Sequence, residues 1–249
     1  MNKYFRAFMM SLSMFTALPC PFGEWDEDAR PLMTLFLPLV GAVIGALWAL
    51  AAWILRLIQF PSLVDGIILC AFPIVLTGGI HMDGFMDTVD AVKSWRSPEE
   101  RRRILKDPHV GSFAVIAACL LIIAEVALFA SAKDTSDIFT LIFIPVVSRT
   151  VAALGVTILR PISASEYSGA YRKGVKKEHA MILLAILAVS VILGFILLGR
   201  YGFASLAVIA GYLIFLRRGF CSLDGMSGDI SGYALTIGEL CGIAVFALV

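Results

Sequence analysis

The chain has little charge for its size, and the charge it has is nearly balanced. Charged residues make up 16% of its 249 residues, hydrophobic residues make up 59%, and the mean hydropathy is +0.90. Soluble globular domains are about a quarter charged, so an ordinary soluble domain is excluded. The net charge of +1 gives no argument for charged partners, and we expect no nucleic-acid partner. The composition indicates a single integral membrane domain over residues 1–249.

Informative cysteine patterns are also lacking. The five cysteines are scattered, odd in number and never form a C-x-x-C pair. Neither a disulfide framework nor a zinc site is therefore indicated, and inert packing in apolar segments is the default interpretation. The sequence also shows no internal repeat, low-complexity segment or soluble domain.

Long apolar runs dominate what remains. Several windows approach the ~20 residues that an α-helix needs to cross a bilayer. The N-terminal run 7–18 is shorter, and Pro19, Cys20 and Pro21 stand where a signal peptide would need small residues. We predict an all-α integral membrane fold, a polytopic bundle of about seven transmembrane helices plus an N-terminal interfacial or re-entrant helix. The windows are 33–58, 63–80, 110–130, 138–159, 180–198, 203–216 and 233–249.

Basic residues are distributed unevenly between the loops of such a bundle. With seven spans, sixteen of the 20 lysines and arginines fall on one side, in the N-terminal segment and in loops 81–109, 160–179 and 217–232. The positive-inside rule places that side in the cytoplasm. We therefore expect a multi-pass protein of a bacterial or archaeal cytoplasmic (inner) membrane, surrounded by the lipid bilayer, with its active site facing the cytoplasm. The sequence leaves open whether the protein forms a homo-oligomer.

Three carboxylates follow the second apolar window at helical spacing. Asp83, Asp87 and Asp90 are four and three residues apart, which places them on one face of a helix. Like charges this close repel each other, and desolvation at a membrane boundary adds to the cost. Oxygen ligands suit Mg2+, although a solvated helix end is the plain alternative. His81, just before them, is a candidate general base, a substrate contact or an ordinary interfacial histidine.

A second candidate segment, 105–113, lies where the chain re-enters the bilayer. Lys106 can reach an anionic oxygen, and Gly111 with Ser112 allows a close backbone approach to a phosphate. An ordinary junction between loop and helix with a topogenic lysine explains the same residues equally well.

A third candidate segment, 224–232, contains three glycines and two carboxylates. Its turn can present Asp229, the hydroxyl group of Ser227 and backbone groups to a metal and a phosphate, with Asp224 as a further acid. A polar turn between two helices is the alternative. Because this segment lies on the same side of the membrane as the three carboxylates, the functional interpretation is favoured.

Three charged residues fall well inside apolar windows, away from the ends of those windows. Arg149 points into the bundle or extends to the cytoplasmic face, and it would suit phosphate as an anion clamp. Glu125 and Glu239 are buried partners, supporting groups or protonated acids, and the sequence does not choose among these. A loop with glycines carries further lysines that form either a mobile anion-attracting lid or a purely topogenic cluster: Lys173, Lys176 and Lys177.

Clustered carboxylates with cationic neighbours suit a pyrophosphate-containing substrate, because a divalent metal bridges phosphate oxygens and lysine or arginine supports the leaving group. The residues alone therefore indicate transfer of a phosphoryl-linked or pyrophosphate-activated group to an acceptor that also lies at the membrane.

The candidate segments resemble one family in order along nearly the whole chain. Segment 81–90, HMDGFMDTVD, resembles the H-x-D-G-x-x-D-T-x-D signature of the cobalamin synthase family, also called adenosylcobinamide-GDP ribazoletransferase. Segment 106–113 is similar to its K-D-x-x-x-G-[ST]-F, segment 225–232 to its G-x-[ST]-G-D-x-x-G, and segment 15–21 to its F-T-R-x-P-x-P. Arg149 matches an S-R pair at the end of a span.

Three positions depart from the family pattern. Ala17 stands where arginine is usual, which puts an anion contact from the N-terminal segment in doubt. Ala91 stands where glycine is usual, and Tyr233 stands where a small residue is common, and both concern local packing.

The resemblance implies an enzyme that joins α-ribazole, or its 5′-phosphate, to adenosylcobinamide-GDP. A ribose hydroxyl attacks the phosphorus linked to the corrinoid arm, GMP leaves, and adenosylcobalamin or its 5′-phosphate forms. Mg2+ is the implied cofactor. On this interpretation the metal ligands are Asp83, Asp87, Asp90, Asp229 and Asp224, the substrate or phosphate contacts are Lys106, Arg149, Gly111, Ser112 and Ser227, and the catalytic groups are His81, Lys106, Asp83 and Asp87.

Other membrane proteins also hold metal and diphosphate with aspartates. A CDP-alcohol phosphotransferase would need a D-G-x-x-A-R run, and an aromatic prenyltransferase would need two similar aspartate-rich motifs. A metal or ion transporter would need carboxylates near the middle of the bilayer and repeated broken helices. The sequence fits each of these alternatives less well.

Overall fold

The computed structural model describes residues 2–21, 25–132, 137–162 and 177–249. These ranges contain ten α-helices, two short 3-10 helices at Arg30–Leu32 and Gly199–Gly202, and no β-strand apart from a single bridge between Pro161 and Met226. The α-helices are α1 Lys3–Phe15, α2 Met33–Ile58, α3 Ser62–Leu76, α4 Ile80–Lys93, α5 Pro98–Ile104, α6 Ser112–Ser131, α7 Thr140–Ile158, α8 Lys177–Leu198, α9 Phe203–Leu223 and α10 Gly228–Leu248.

Several helices are long and apolar enough to cross a membrane. Five described stretches meet this condition, and the bent pair α3 and α4 adds a sixth if it counts as one span. Large apolar side chains on the outer faces are exposed, with 70% of Ile196 and 65% of Leu197 accessible, as expected for lipid contact. The chain is therefore an all-helical, multi-pass membrane protein, and the number of about seven spans stays a prediction.

The stretch counted from Lys177 to Leu223 contains two helices that run in opposite directions. Leu183, near the start of α8, packs in one cluster with Leu154, near the end of α7. Gly194, near the end of α8, lies beside Phe143, near the start of α7. Helix α8 is therefore antiparallel to α7, and α9 returns toward the other end of the bundle after the 3-10 turn.

Helix α1 is a separate short element at one end of the bundle. It is 13 residues long, about 20 Å at 1.5 Å per residue, which is too short to span a bilayer. Ala7 and Met10 pack on Met33 at the start of α2, and the Ser11 hydroxyl donates to the Met33 carbonyl oxygen at 2.9 Å. The predicted N-terminal non-spanning helix is present, packed on α2.

The apolar window 63–80 does not form one straight helix. Helix α3 ends at Leu76, and α4 leaves it at an angle of 92°. Gly78 and Gly79 make this turn with φ of +63° and +78°, values that glycine adopts without steric cost. The bend directs α4, and the carboxylates on it, across the bundle instead of along the axis of α3.

Four loop regions meet at the same end of the bundle. The Ala17 amide donates to the Leu76 carbonyl oxygen at 2.8 Å, which ties the N-terminal segment to the end of α3. The Ile162 amide donates to the Met226 carbonyl oxygen at 3.0 Å, and Arg102 of α5 reaches the residue that ends α9. The regions that charge distribution assigns to one side of the membrane therefore lie together, and they surround the candidate site.

Candidate active site

Helices α4 and α10 cross in very close contact at the candidate site. A methyl group placed on Gly84 would lie 2.9 Å from the Asp229 Cα atom, so no side chain larger than hydrogen fits there without a shift. The Thr236 hydroxyl donates to the His81 carbonyl oxygen at 3.4 Å, which fixes the same crossing about two turns further along α10. This contact brings the start of α10 against the carboxylate-bearing face of α4.

Three of the predicted metal ligands come together at this crossing. Asp87 lies within electrostatic range of Asp83, Asp229 and Asp90, and Asp83 also acts on Asp229. Asp83 is exposed, whereas Asp87 and Asp229 are half-buried. The prediction that helical spacing places the carboxylates on one face of α4 agrees with the structure, and a third carboxylate joins them from a distant part of the chain.

Asp90 has a different principal contact from the one predicted. One of its carboxylate oxygens accepts from the Gly111 amide at 2.6 Å, and the other accepts from the Ala114 amide at 2.9 Å. Both amides belong to the first turn of α6, where backbone N–H groups lack partners within the helix. Asp90 therefore holds the start of α6 on the end of α4, each of its oxygens accepts one hydrogen bond, and its role as a metal ligand stays a prediction.

Asp224 also differs from its predicted place in a metal site. It ends α9 with a φ of +58°, and its half-exposed carboxylate pairs with Arg160 and, at 3.1 Å, with Arg102. Carboxylates from α4 and α10 act on Asp87, and Asp224 is not among them. The structure gives Asp224 the role of a surface tie between three loops.

The loop from α5 to α6 carries the predicted phosphate contacts in an exposed position. Lys106 and Ser112 are exposed, and Gly111 lies directly on the carboxylate of Asp90. Nearby, the His109 backbone amide donates to Asp107 at 3.0 Å, and this bond, with the His109 side chain, lowers the pKa of the Asp107 carboxyl group. Gly111 is therefore needed for packing against Asp90, and a phosphate role for Lys106 and Ser112 stays a prediction.

Ser227 forms the N-cap of α10. Its hydroxyl oxygen accepts from the Ile230 amide at 3.2 Å, and the hydroxyl lies 3.4 Å from a carboxylate oxygen of Asp229. The cap fixes the first turn of α10, so Asp229 is held in place by the helix start. The predicted glycine-rich turn therefore forms the ordered N-terminus of α10.

Arg149 is buried and paired with an acid that the sequence did not assign to it. Only 2% of Arg149 is exposed, and its Nη1 atom contacts a carboxylate oxygen of Glu239 and, at 3.0 Å, the Ser148 hydroxyl. Glu125 has a separate partner, because the Cys70 thiol donates to it at 3.3 Å. The ion pair makes Arg149 less suited to an exposed diphosphate than predicted.

His81 combines a buried ring nitrogen with an aromatic contact to the N-terminal segment. Its Nε2 atom is buried and, within the described ranges, has no hydrogen-bond partner. The ring of Phe15, at the end of α1, is nearly parallel to the imidazole, with ring centres 6.3 Å apart and an angle of 15°. The N-terminal segment therefore contributes an aromatic contact to the candidate site, although it has Ala17 at the position where the family usually has arginine.

A cavity of about 390 Å3 opens between α1, α2, α4, α7 and α10. Its walls are mainly apolar, and its few polar groups include His81, Arg149, Ser227 and Asp229. Ligand sites in proteins commonly combine apolar walls with a small number of placed polar groups. The cavity joins the carboxylate crossing to the interior of the bundle.

The carboxylate chemistry fits Mg2+, but the residues do not form a finished cage. Among the described residues, no group of three or more histidine, cysteine, aspartate or glutamate side chains is arranged to hold a metal ion. Mg2+ in phosphate-transfer sites is commonly held by one or two carboxylates with substrate phosphates and water completing the shell. Asp83, Asp87 and Asp229 supply oxygen ligands suited to such a shared site.

The sequence as a whole matches one family model. The model described as Cobalamin-5-phosphate synthase matches residues 7–247. The chain belongs to this family. The family predicted from the motifs is thereby confirmed, and the CDP-alcohol phosphotransferase, prenyltransferase and transporter alternatives are not favoured.

Curated relatives of the cobalamin-5-phosphate synthase family cover the chain from end to end. Adenosylcobinamide-GDP ribazoletransferase of Clostridium perfringens (strain 13 / Type A) is 35% identical over 251 residues, which is 100% of both chains. The protein of the same name from Clostridium botulinum (strain Eklund 17B / Type B) is 38% identical over 245 residues, covering 98% of this chain and 97% of that protein. The one from Lachnoclostridium phytofermentans is 31% identical over 246 residues. No solved structure matches the chain.

Sequence reasoning missed several contacts around the candidate site of this member of the cobalamin-5-phosphate synthase family. The pairing of Arg149 with Glu239 joins residues 90 positions apart, and only the presence of two opposite charges inside apolar windows hinted at it. The contact of Phe15 with His81 had no signal beyond the N-terminal motif. Within the proposed lid, Lys173 and Lys176 lie outside the described residues, and Lys177 is the first residue of α8.

Proposed function

We propose that this chain transfers the adenosylcobinamide phosphoryl group from GDP-linked adenosylcobinamide to α-ribazole or its 5′-phosphate at the membrane. The end-to-end match to relatives named for this transfer supports the proposal. The observation that carries it is the position of Asp229, which lines a mainly apolar cavity and lies within electrostatic range of Asp83 and Asp87. Acidic oxygen ligands beside an apolar cavity suit a diphosphate donor and a poorly polar acceptor.

The chemistry is a displacement at phosphorus. A bond forms between a ribose hydroxyl oxygen of the acceptor and the phosphorus attached to the corrinoid arm, and the bond from that phosphorus to the GMP oxygen breaks. The hydroxyl proton must pass to a base as the bond forms. His81 is our candidate, because its Nε2 atom faces no described partner and its ring lines the cavity. Asp83 or Asp87 is the competing base.

Mg2+ would be held by Asp83, Asp87 and Asp229 together with oxygens of the diphosphate. When bound, it would neutralise charge that develops on the phosphate oxygens and on the departing GMP. Asp90 would contribute indirectly, by fixing α6 against α4. Asp224 would fix the surrounding loops.

The exposed loop from α5 to α6 would contribute the positive charge that meets the donor. Lys106 lies there at the same end of the bundle as the carboxylates. Its side chain can neutralise a phosphate oxygen without a fixed geometry, as lysine commonly does. We place this end of the bundle in the cytoplasm of a bacterial or archaeal cell, on the charge distribution between the loops.

The test is incubation of the purified protein in lipid vesicles with adenosylcobinamide-GDP and α-ribazole, with GMP release and corrinoid product measured across a Mg2+ titration. Asp83→Asn and Asp87→Asn should each lower the rate by about a hundredfold or more, as expected when charge stabilisation of a transition state is lost. Asp28→Asn replaces an exposed aspartate of the N-terminal segment and should retain the rate.

Two results would reject parts of the proposal separately. Absence of GMP release by the unmodified protein in the presence of Mg2+ would reject the reaction. Near-normal rates and unchanged Mg2+ dependence in both Asp83→Asn and Asp87→Asn would reject the metal assignment while leaving the reaction in place.

A further inference from the structure

The cavity between α2, α7 and α10 is apolar along its walls and polar only at particular points. Leu37, Val156 and Leu235 come from these three helices and line it, together with Leu159 directly after α7. Arg149 lines it as well, deeper in the bundle, since it lies two turns before the end of α7. A ligand inside must therefore present mostly carbon to the walls and have few polar atoms of its own.

The buried guanidinium of Arg149 has one unused donor. Its Nη1 atom is satisfied by Glu239 and Ser148, whereas its Nε atom is buried and has no hydrogen-bond partner among the residues that the structure describes. A buried donor without an acceptor costs free energy, so a ligand acceptor at this point would be favoured. A second residue of the cavity lining also has a buried nitrogen without a partner among the described residues. This nitrogen is His81 Nε2.

The size of the cavity helps to decide which part of the two substrates fits inside it: the corrin macrocycle, the guanine or the benzimidazole base. About 390 Å3 lies near the lower end of the range for small-ligand pockets. A corrin macrocycle with its amide side chains exceeds such a space. Guanine fits by size, but it carries several donors and acceptors around its edge, more than the few polar groups of a mainly apolar lining can pair. The dimethylbenzimidazole base of α-ribazole is bicyclic and apolar, with one free ring nitrogen that accepts a hydrogen bond.

We propose that this cavity binds the benzimidazole base of the acceptor nucleoside, with the Arg149 Nε–H group donating to the free ring nitrogen of the base. The inference rests on the proposed function for the identity of the acceptor. The apolar residues of α7 and α10 hold the two methyl groups, and the base directs its ribose toward His81. The corrinoid and the guanine of the donor stay outside the cavity, at the exposed carboxylate face.

The test is a cavity-filling substitution with two readouts. Val156→Phe adds bulk to the α7 wall, and it should raise KM for α-ribazole by about tenfold or more, because the added ring takes up space that the base needs. KM for adenosylcobinamide-GDP should stay unchanged. Val189→Phe makes the same change at an exposed position of α8, 54% accessible, and should change neither value.

Equilibrium dialysis of α-ribazole against the detergent-solubilised protein without added metal gives a second readout that does not depend on turnover. Unmodified protein and Val189→Phe should bind, and Val156→Phe should bind about tenfold more weakly. A benzimidazole nucleoside without the two methyl groups should recover part of that loss. Val156→Ala enlarges the cavity without threatening the fold, and it should accept a nucleoside with a larger tricyclic base.

The outcomes distinguish the alternatives. If Val156→Phe raises only KM for adenosylcobinamide-GDP, the cavity holds part of the donor and the inference is wrong. If both Val156 variants match the unmodified protein in KM and in dialysis, the cavity holds no substrate, as expected for a site filled by a lipid chain. If the unmodified protein releases no GMP but binds α-ribazole with the expected variant pattern, the proposed reaction fails and the base site stands.

Discussion

The contact between Asp90 and the start of α6 predicts that this carboxylate stabilises the fold. A stability measurement can therefore distinguish this role from that of a metal ligand. Asp90→Ala removes two acceptors, and the Ala114 amide that loses its partner is fully buried, so water cannot replace the bond. Hydrogen bonds to charged groups contribute about 1.5–3 kcal/mol each, and loss of an N-cap costs about 0.5–2 kcal/mol. Because the Gly111 amide regains some solvation, we expect a loss of about 2–3 kcal/mol.

The expected loss corresponds to a fall in melting temperature of about 4–12 °C for a chain of this size. Thermal unfolding in detergent, followed by tryptophan fluorescence, measures it. Asp90→Asn keeps one acceptor oxygen and should recover about half of the loss. Asp83→Ala removes an exposed carboxylate and should inactivate the protein with little change in melting temperature. Inactivation by Asp90→Ala at an unchanged melting temperature would refute the structural role and return Asp90 to the metal.

Three further substitutions test the same account. Glu239→Ala leaves Arg149 buried and unpaired, so it should cost about 3–5 kcal/mol in thermal unfolding, and a variant as stable as the parent would contradict the ion pair. Asp224→Asn removes two half-exposed ion pairs and should cost less than about 1 kcal/mol with activity retained. Activity lost to the level of the Asp83 variants would place Asp224 in the site. Gly84→Ala adds a methyl group 2.9 Å from the Asp229 Cα atom, so GMP release should fall sharply, and full activity would show that the crossing adapts.

Sequence periodicity predicted the carboxylate face of α4 well, because helical spacing alone determines which side chains share a face. Charge distribution also predicted which loops lie together at one end. The angle between α3 and α4 was not predicted, since apolar content reports how long a segment is and not where it turns.

The division of work among the aspartates could not be read from the sequence. Asp90 and Asp224 have the same side chain as Asp83, and their different roles come from amides and arginines brought in by distant segments. The partner of Arg149 likewise depends on how α7 packs against α10. Residue type and spacing predicted the candidate acids, and tertiary contacts determine which of them already have other partners.

Three acids at or near the crossing lie at the positive ends of helix dipoles. Asp83 lies in the first turn of α4, Asp229 lies in the first turn of α10, and Asp90 caps α6. The partial positive charge at a helix N-terminus favours a nearby carboxylate. Three backbone dipoles therefore offset part of the repulsion that the aspartate spacing implies, so the acids can gather before any cation arrives.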